Sequence, residues 1–212
     1  LFPANPNLKI NVGLGMMLGL FLGMLAALLR EQLDDSVKHA NEIETQYHLP
    51  LLGLIPFTKP DKGRNEPVAL LAHREPRSTF AESYRSMRTA LQFGTADGAP
   101  QRFMVTSCGK GEGKTTTALA LAINFAQLGQ KVLLIDADMR KGWVHKLLNV
   151  SNSIGLTNFL LKQNTIEEVI QTTKVPSLHF LPSGKLPSSS LGVLNSAQMR
   201  EFVRQARERY DF

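Results

Sequence analysis

The chain has 212 residues, with 24 Lys and Arg against 18 Asp and Glu and a net charge of +6, enough length for one ordinary domain plus a membrane helix. Its single cysteine, Cys108, excludes an internal disulfide and suits a reducing compartment, and its five histidines lack metal-ligand spacing. The basic residues are mixed with acids and have no aromatic stacking set, so they do not read as a nucleic-acid surface; nearness to anionic lipid accounts for the excess.

Residues Ile10 to Leu29 carry no charge, and Lys9 and Arg30 bracket them. About 20 such residues cross a bilayer as a helix. The run is too long for a signal-peptide core, and no basic segment precedes it. Gly15, Gly19 and Gly23 recur every four residues, a stripe that permits close helix contact in lipid. Residues 31–49 read as a helix that continues the span. Leu51 to Ile55 read as a short strand that ends at Pro56. Residues 57–77 hold prolines and charges of both signs and read as a linker. The expected organisation is therefore a membrane helix over 1–30, a juxtamembrane segment over 31–77 and a catalytic domain over 78–212.

The next helix places Phe80, Tyr84, Met87 and Leu91 on one apolar face. Glu82, Arg85 and Arg88 lie away from that face, three residues apart. Thr79 and Glu82 have capping-box spacing, and Glu82 can pair with Arg85 along the helix.

A strand over Phe103 to Ser107 then runs into Cys108-Gly109-Lys110-Gly111-Glu112-Gly113-Lys114-Thr115-Thr116. Glycines let backbone N–H groups from Gly109 to Thr116 approach and wrap phosphates. Lys114 would neutralise the β- and γ-phosphates, and the Thr115 hydroxyl would ligate Mg²⁺. The following helix aims its positive end at the anion. Cys108 stands where the strict pattern has its first glycine. A small packed residue is the reading here, rather than a redox sensor.

Ala118 to Leu128 continue as an alanine-rich helix that stops at Gly129. Lys131 to Ile135 read as a buried parallel strand, closing a right-handed βαβ unit. The strand ends in Asp136-Ala137-Asp138-Met139-Arg140. Open α/β sheets bind ligands at this edge, so Asp136 and Asp138 arrive beside the glycine-rich loop. There they can hold the waters of a metal or accept a hydroxyl proton.

The pair of segments Ser107 to Thr115 and Leu133 to Arg140 resembles the Walker A and A′ motifs of the bacterial tyrosine kinases, or BY-kinases. The likeness continues through His145 to Leu148, Gly155-Leu156, Ile166 to Ile170 and Leu178 to Gly184, and reaches back to residue 1. It implies an α/β fold of P-loop NTPase type, doubly wound around a mostly parallel sheet and preceded by one transmembrane helix. It also implies that Asp136 is the base for the tyrosine hydroxyl and that Asp138 binds Mg²⁺ through water. Arg140 joins the nucleotide-binding set. Glu82, Arg85 and Arg88 match the motif through which BY-kinase subunits associate into rings. Two departures stand out. Gly142 replaces a proline usual after the A′ arginine, and Ser188-Ser189-Ser190 replaces a Pro-Asn-Pro.

Pro3, Pro6, the apolar run and Leu49 to Pro56 resemble the end of the second membrane helix of polysaccharide co-polymerases, which BY-kinases often carry in one chain. The implied whole is an ATP- and Mg²⁺-dependent tyrosine autokinase in the bacterial inner membrane, its kinase domain cytoplasmic. It would act with polysaccharide polymerase and export machinery and a protein-tyrosine phosphatase. The chain lacks an initial Met and reads as a piece of that whole. The Walker B aspartate and the tyrosine cluster would follow Phe212. The rival is a partition- or positioning-type ATPase switch. Those proteins carry a signature lysine five residues before the P-loop lysine, where this chain has Gly109. A third reading, a structural co-polymerase with a decayed site, conflicts with intact Lys114, Thr115, Asp136 and Asp138.

Overall fold

The computed structural model describes residues 7–33, 40–59, 67–94, 98–185 and 191–212. Expectations for Pro3, Pro6, residues 34–39 of the expected 31–49 helix, residues 60–66 and Ser188-Ser189-Ser190 fall outside these. Two compact units form, residues 1–51 and 52–212.

In the first unit, α1 spans Leu8–Gln32. Its 25 residues give about 37 Å of helix, more than a bilayer's hydrocarbon thickness. None of its residues is buried, and it is long and apolar enough to cross a membrane. Nothing lies within 4 Å of the positions a Cβ would take at Gly15, Gly19 and Gly23, so that stripe is open. A second helix, α2, covers Ala40–Tyr47.

The second unit is built on β1 (Val132–Ile135), β2 (Gln171–Thr172) and β3 (Leu178–Leu181), in the order β1-β3-β2. Strands β1 and β3 are parallel, with Val132 opposite Leu178 and Ile135 opposite Leu181. The two-residue strand β2 is antiparallel to β3, so among the described residues the sheet is mixed, with its longer pairing parallel.

Period-two alternation sorts the strand side chains onto two faces. Val132, Leu134, Leu178 and Phe180 face one core. That core holds α3 (Leu71–Arg74), α4 (Thr79–Phe93) and α5 (Lys114–Ala126). Leu133, Ile135 and Leu181 face the other. There they meet α7 (Leu156–Leu160), α8 (Ile166–Val169), α9 (Leu191–Leu194) and α10 (Ala197–Arg209). The short α6 (Val144–Leu148) follows β1 and adds Val144 and Leu148 to the first core. Helices on both faces make the fold doubly wound, as expected. Phe180 is fully buried at its centre, where truncation to Ala would cost about 3–5 kcal/mol.

Three expectations need correction. Residues 51–55 form no strand; Ile55 packs on the first core and Leu54 is exposed. The expected linker is partly core: a 3₁₀ turn over Val68–Leu70 and α3 bury Ala69 and Ala72. Small residues there let the chain pass close to α5. Finally, residues 103–107 join no ladder among the described residues. One edge of β1 is taken by residues 211–212. Leu133 donates its N–H to the Phe212 carbonyl at 2.8 Å, and Asp211 donates to Lys131 at 2.9 Å.

Candidate nucleotide site

The glycine-rich loop leads into α5 through Gly113, which caps the helix with φ 85° and supplies no side chain. Gly111 also has positive φ, 89°. Both are conformations that glycine adopts without strain. The first intrahelical bond is Thr117 N–H to the Gly113 carbonyl, at 2.8 Å. The N–H groups of Lys114, Thr115 and Thr116 lie before it, in the turn where a helix has no partners of its own. An uncapped positive helix end therefore opens onto the loop. Glu112 folds back so that its carboxylate accepts the Gly109 N–H at 2.9 Å. An anionic oxygen thus already sits on a loop amide. Lys110 stands in the same loop, and Cys108 before it is exposed rather than packed as expected.

Helix α5 is about 20 Å long. A tight turn at Gln127–Gln130 sends the chain straight back along β1. The P-loop end of α5 therefore lies toward the end of β1 that carries Asp136. Asp136 is 6% exposed. Its Oδ1 accepts the Asp138 N–H and its Oδ2 accepts the Val144 N–H, both at 3.2 Å. Burial raises its pKa above the ordinary carboxylate value, opposed by those backbone donors and reinforced by the charge of Asp138. Asp138 is exposed and closes a turn, accepting the N–H groups of Arg140 and Lys141 at 3.2 and 3.0 Å. Arg140 is exposed beside it. Asp136 and Asp138 do not become part of a three-residue metal cluster among the described residues.

Gly142 explains its own departure from the family pattern. A Cβ there would lie 2.7 Å from Ser183 Oγ and 3.0 Å from Asp136 Oδ2. Ser183 is a residue that sequence reasoning missed. It is 2% exposed, and its carbonyl accepts the Thr157 hydroxyl at 2.8 Å. The Pro182 to Gly184 turn after β3 is thereby stitched to α7. Trp143 was also missed. Its ring is exposed, with Lys146 Nζ 3.8 Å from the ring centroid.

Helix α4 carries the expected apolar face: Phe80 and Tyr84 are buried, and Met87 and Leu91 pack against the same core. Its cap is one residue earlier than expected. Ser78 Oγ, not Thr79, accepts the Ala81 N–H at 3.2 Å. Glu82 and Arg85 pair on the surface, as anticipated. Arg88 does not lie away from the core. Its guanidinium reaches α5 and donates to the Asn124 carbonyl at 3.1 Å, and burial lowers its pKa. A long side chain can turn inward from the edge of an apolar face, which helical spacing alone does not reveal.

Against this geometry, known proteins fall into place. A family model described as an AAA domain matches residues 103–212. The solved BceF tyrosine kinase domain superposes with a TM-score of 0.74 at 30% identity, covering 84% of this chain and 74% of that one. This chain belongs to the bacterial tyrosine-kinase family. The BY-kinase likeness extends to whole relatives. Tyrosine-protein kinase YwqD of Bacillus subtilis (strain 168) is 42% identical over 142 residues, 67% of this chain and 60% of YwqD. Tyrosine-protein kinase etk of Escherichia coli (strain K12) is 30% identical over 225 residues, 99% of this chain and 31% of etk. The chain thus spans less than two thirds of either relative. A BY-kinase P-loop fold implies nucleotide binding, typically with Mg²⁺.

Proposed function

We propose that this chain carries the ATP site of a Mg²⁺-dependent protein-tyrosine kinase held at the bacterial inner membrane by α1. The observation that carries the reading is the pairing of an uncapped, lysine-bearing helix end with a buried carboxylate at the end of the next strand. Bound Mg-ATP would supply the phosphoryl group and the metal charge that phosphoryl transfer needs. Loop amides from Gly109 to Gly113, with Lys110, Glu112, Thr116 and Arg140, border the phosphates. Lys114 would neutralise phosphate charge, and the Thr115 hydroxyl and Asp138 would hold Mg²⁺. Two backbone N–H groups fix the Asp136 carboxylate, and burial makes it a stronger proton acceptor. It is therefore suited to take the proton of a tyrosine hydroxyl and to steady the metal.

The acceptor is not Tyr84 or Tyr210. Tyr84 is buried against Thr117, and the Tyr210 hydroxyl meets His179 Nδ1 at 2.8 Å. Glu82 and Arg85 form the exposed part of a surface through which subunits assemble into a ring, bringing a neighbour's tyrosines to the site. The likeness to polysaccharide co-polymerases makes export and chain length of a surface polysaccharide the regulated process, with a phosphatase resetting the tyrosines.

The test is full-length protein carrying Lys114→Met or Asp136→Asn, compared for Mg-ATP binding and phosphotyrosine. Lys114→Met should lose both. Asp136→Asn should keep nucleotide and lose phosphotyrosine. Undiminished autophosphorylation in Lys114→Met would sink the site. Wild-type protein that hydrolyses ATP without making phosphotyrosine would favour the switch-type ATPase.

A further inference from the structure

We propose that Tyr84 is a positioning residue for the nucleotide site, linking the association helix α4 to the P-loop helix α5. This rests on the nucleotide-site reading above. The Tyr84 hydroxyl and Thr117 Oγ1 are 3.0 Å apart, and Tyr84 is 1% exposed. A phenylalanine would fill the same space without a polar group to satisfy. The hydroxyl is therefore explained by its partner, not by packing.

Thr117 is the residue at which the α5 hydrogen-bond ladder begins, through its N–H to Gly113. It lies three residues after Lys114, on the adjoining part of the helix surface. Holding its side chain fixes the rotation of the first turn, and with it the direction of Lys114 and of the free N–H groups. A second bond grips the other end of α5. The terminal carbonyls of Ile123, Phe125 and Ala126 accept backbone N–H groups from Gln127, Leu128 and Gly129. The Asn124 carbonyl instead accepts Arg88, one turn beyond Tyr84 on α4. Helix α4 thus holds α5 at both ends while presenting Glu82 and Arg85 on its outer side. A subunit that docks on Glu82 and Arg85 shifts α4, and Tyr84 passes that shift to the phosphate-binding turn. The coupling is reciprocal, so nucleotide must also bias assembly.

The experiment uses full-length protein with Tyr84→Phe, Thr117→Val, both together, and Thr117→Ser. Mg-ATP affinity is measured by titration, and assembly by light scattering with and without a non-hydrolysable ATP analogue and Mg²⁺. Each single removal should weaken Mg-ATP binding roughly three- to tenfold, the value of one hydrogen bond. The double variant should be no weaker than the worse single. Thr117→Ser should bind like wild type, which separates loss of the bond from misfolding. Nucleotide should shift assembly in wild type and not in Tyr84→Phe. Unchanged affinity in Tyr84→Phe, effects that simply add, or a preserved nucleotide-dependent shift would each overturn the proposal. Wild-type protein that binds no Mg-ATP would instead overturn the parent reading, and Tyr84 with it.

Discussion

The Val144 N–H donates to Asp136 Oδ2 at 3.2 Å, tying the start of α6 to the carboxylate at the end of β1. The same residue accepts the Asp138 N–H through Oδ1. The nine residues from Asp136 to Val144 are therefore folded around one acid. It shapes the turn, and it is also the group proposed above as the proton acceptor. Two consequences can be measured.

The first is a pH dependence of stability. Burial lifts the folded-state pKa of Asp136 above its ordinary 3.8, so the folded protein holds that proton more tightly than the unfolded chain. The resulting stability is fully present below pH 3.8 and is lost as pH rises through the raised value. The unfolding free energy of wild type relative to Asp136→Asn should therefore fall across a window opening near that pH, then level off. Taking the difference cancels the fixed cost of pointing an amide at a backbone N–H. Chemical denaturation at a series of pH values measures it. A difference that climbs with pH would mean that the backbone donors outweigh burial.

The second concerns Gly142, which stands against both Asp136 and Ser183. Gly142→Ala must push one of them aside. The expected loss is about 1–3 kcal/mol, with a parallel fall in phosphotyrosine. The closest atom is Ser183 Oγ, so adding Ser183→Ala should recover most of the stability. Thermal melts of the single and double variants decide this. A Gly142→Ala protein as stable as wild type would show that the turn has slack.

Arg85 and Arg88 should behave differently although they share one sequence motif. Arg85 pairs with Glu82 and donates to the Pro76 carbonyl at 3.0 Å, both in exposed positions where water competes, and such exposed pairs contribute about 0–1 kcal/mol. Arg88 donates to the Asn124 carbonyl at the end of α5 in a part-buried position, where a hydrogen bond from a charged group contributes about 1.5–3 kcal/mol. Urea unfolding should find Arg88→Ala clearly destabilised and Arg85→Ala nearly neutral. Arg85→Ala is then the cleaner probe of assembly. Equal losses in the two variants would undo the distinction.

What could be read from the sequence was local. Val132 to Ile135 could be placed because a short apolar run between a glycine turn and two acids fits a buried strand. The P-loop could be placed because its glycines precede a helix start. Pairing partners could not be read. Residues 52–55 and 103–107 have strand-like composition, yet whether they join a ladder depends on neighbours far along the chain. The 57–77 segment looked like a linker because Pro and charge dominate it, while its buried part rests on two alanines, Ala69 and Ala72. The cap fell to Ser78 rather than Thr79, since adjacent Ser and Thr are both good caps and the entering chain direction chooses. Asp136 and Asp138 were placed at a strand end by sequence, but the role of Ser183 came only with β3 beside β1.

The last prediction concerns residues 103–107. Phe212 donates to Lys131 and accepts from Leu133, the pattern of a parallel ladder on β1. Gln101 donates to the Tyr210 carbonyl at 3.1 Å. Phe125 stacks on Phe212 at 4.3 Å and touches Phe103 at 5.9 Å. Residues 101–103 therefore run beside 210–212, in the same direction and one position further from β1. A strand continuing from Phe212 would lie between β1 and 103–107 and supply the ladder partners that 103–107 lack among the described residues. Met104, 84% exposed, marks how open that backbone is. Because 103–107 leads into the P-loop, its anchoring should control nucleotide binding as well as stability. Residues 52–212 alone should melt broadly, bind Mg-ATP weakly and make no phosphotyrosine. A version extended by the residues that follow the matching position in YwqD should melt sharply and bind more tightly. Hydrogen exchange at Met104 to Thr106 should slow by on the order of a hundredfold or more as those amides enter a ladder. If the 52–212 protein already protects them, melts cooperatively and makes phosphotyrosine, the site is complete without a further strand.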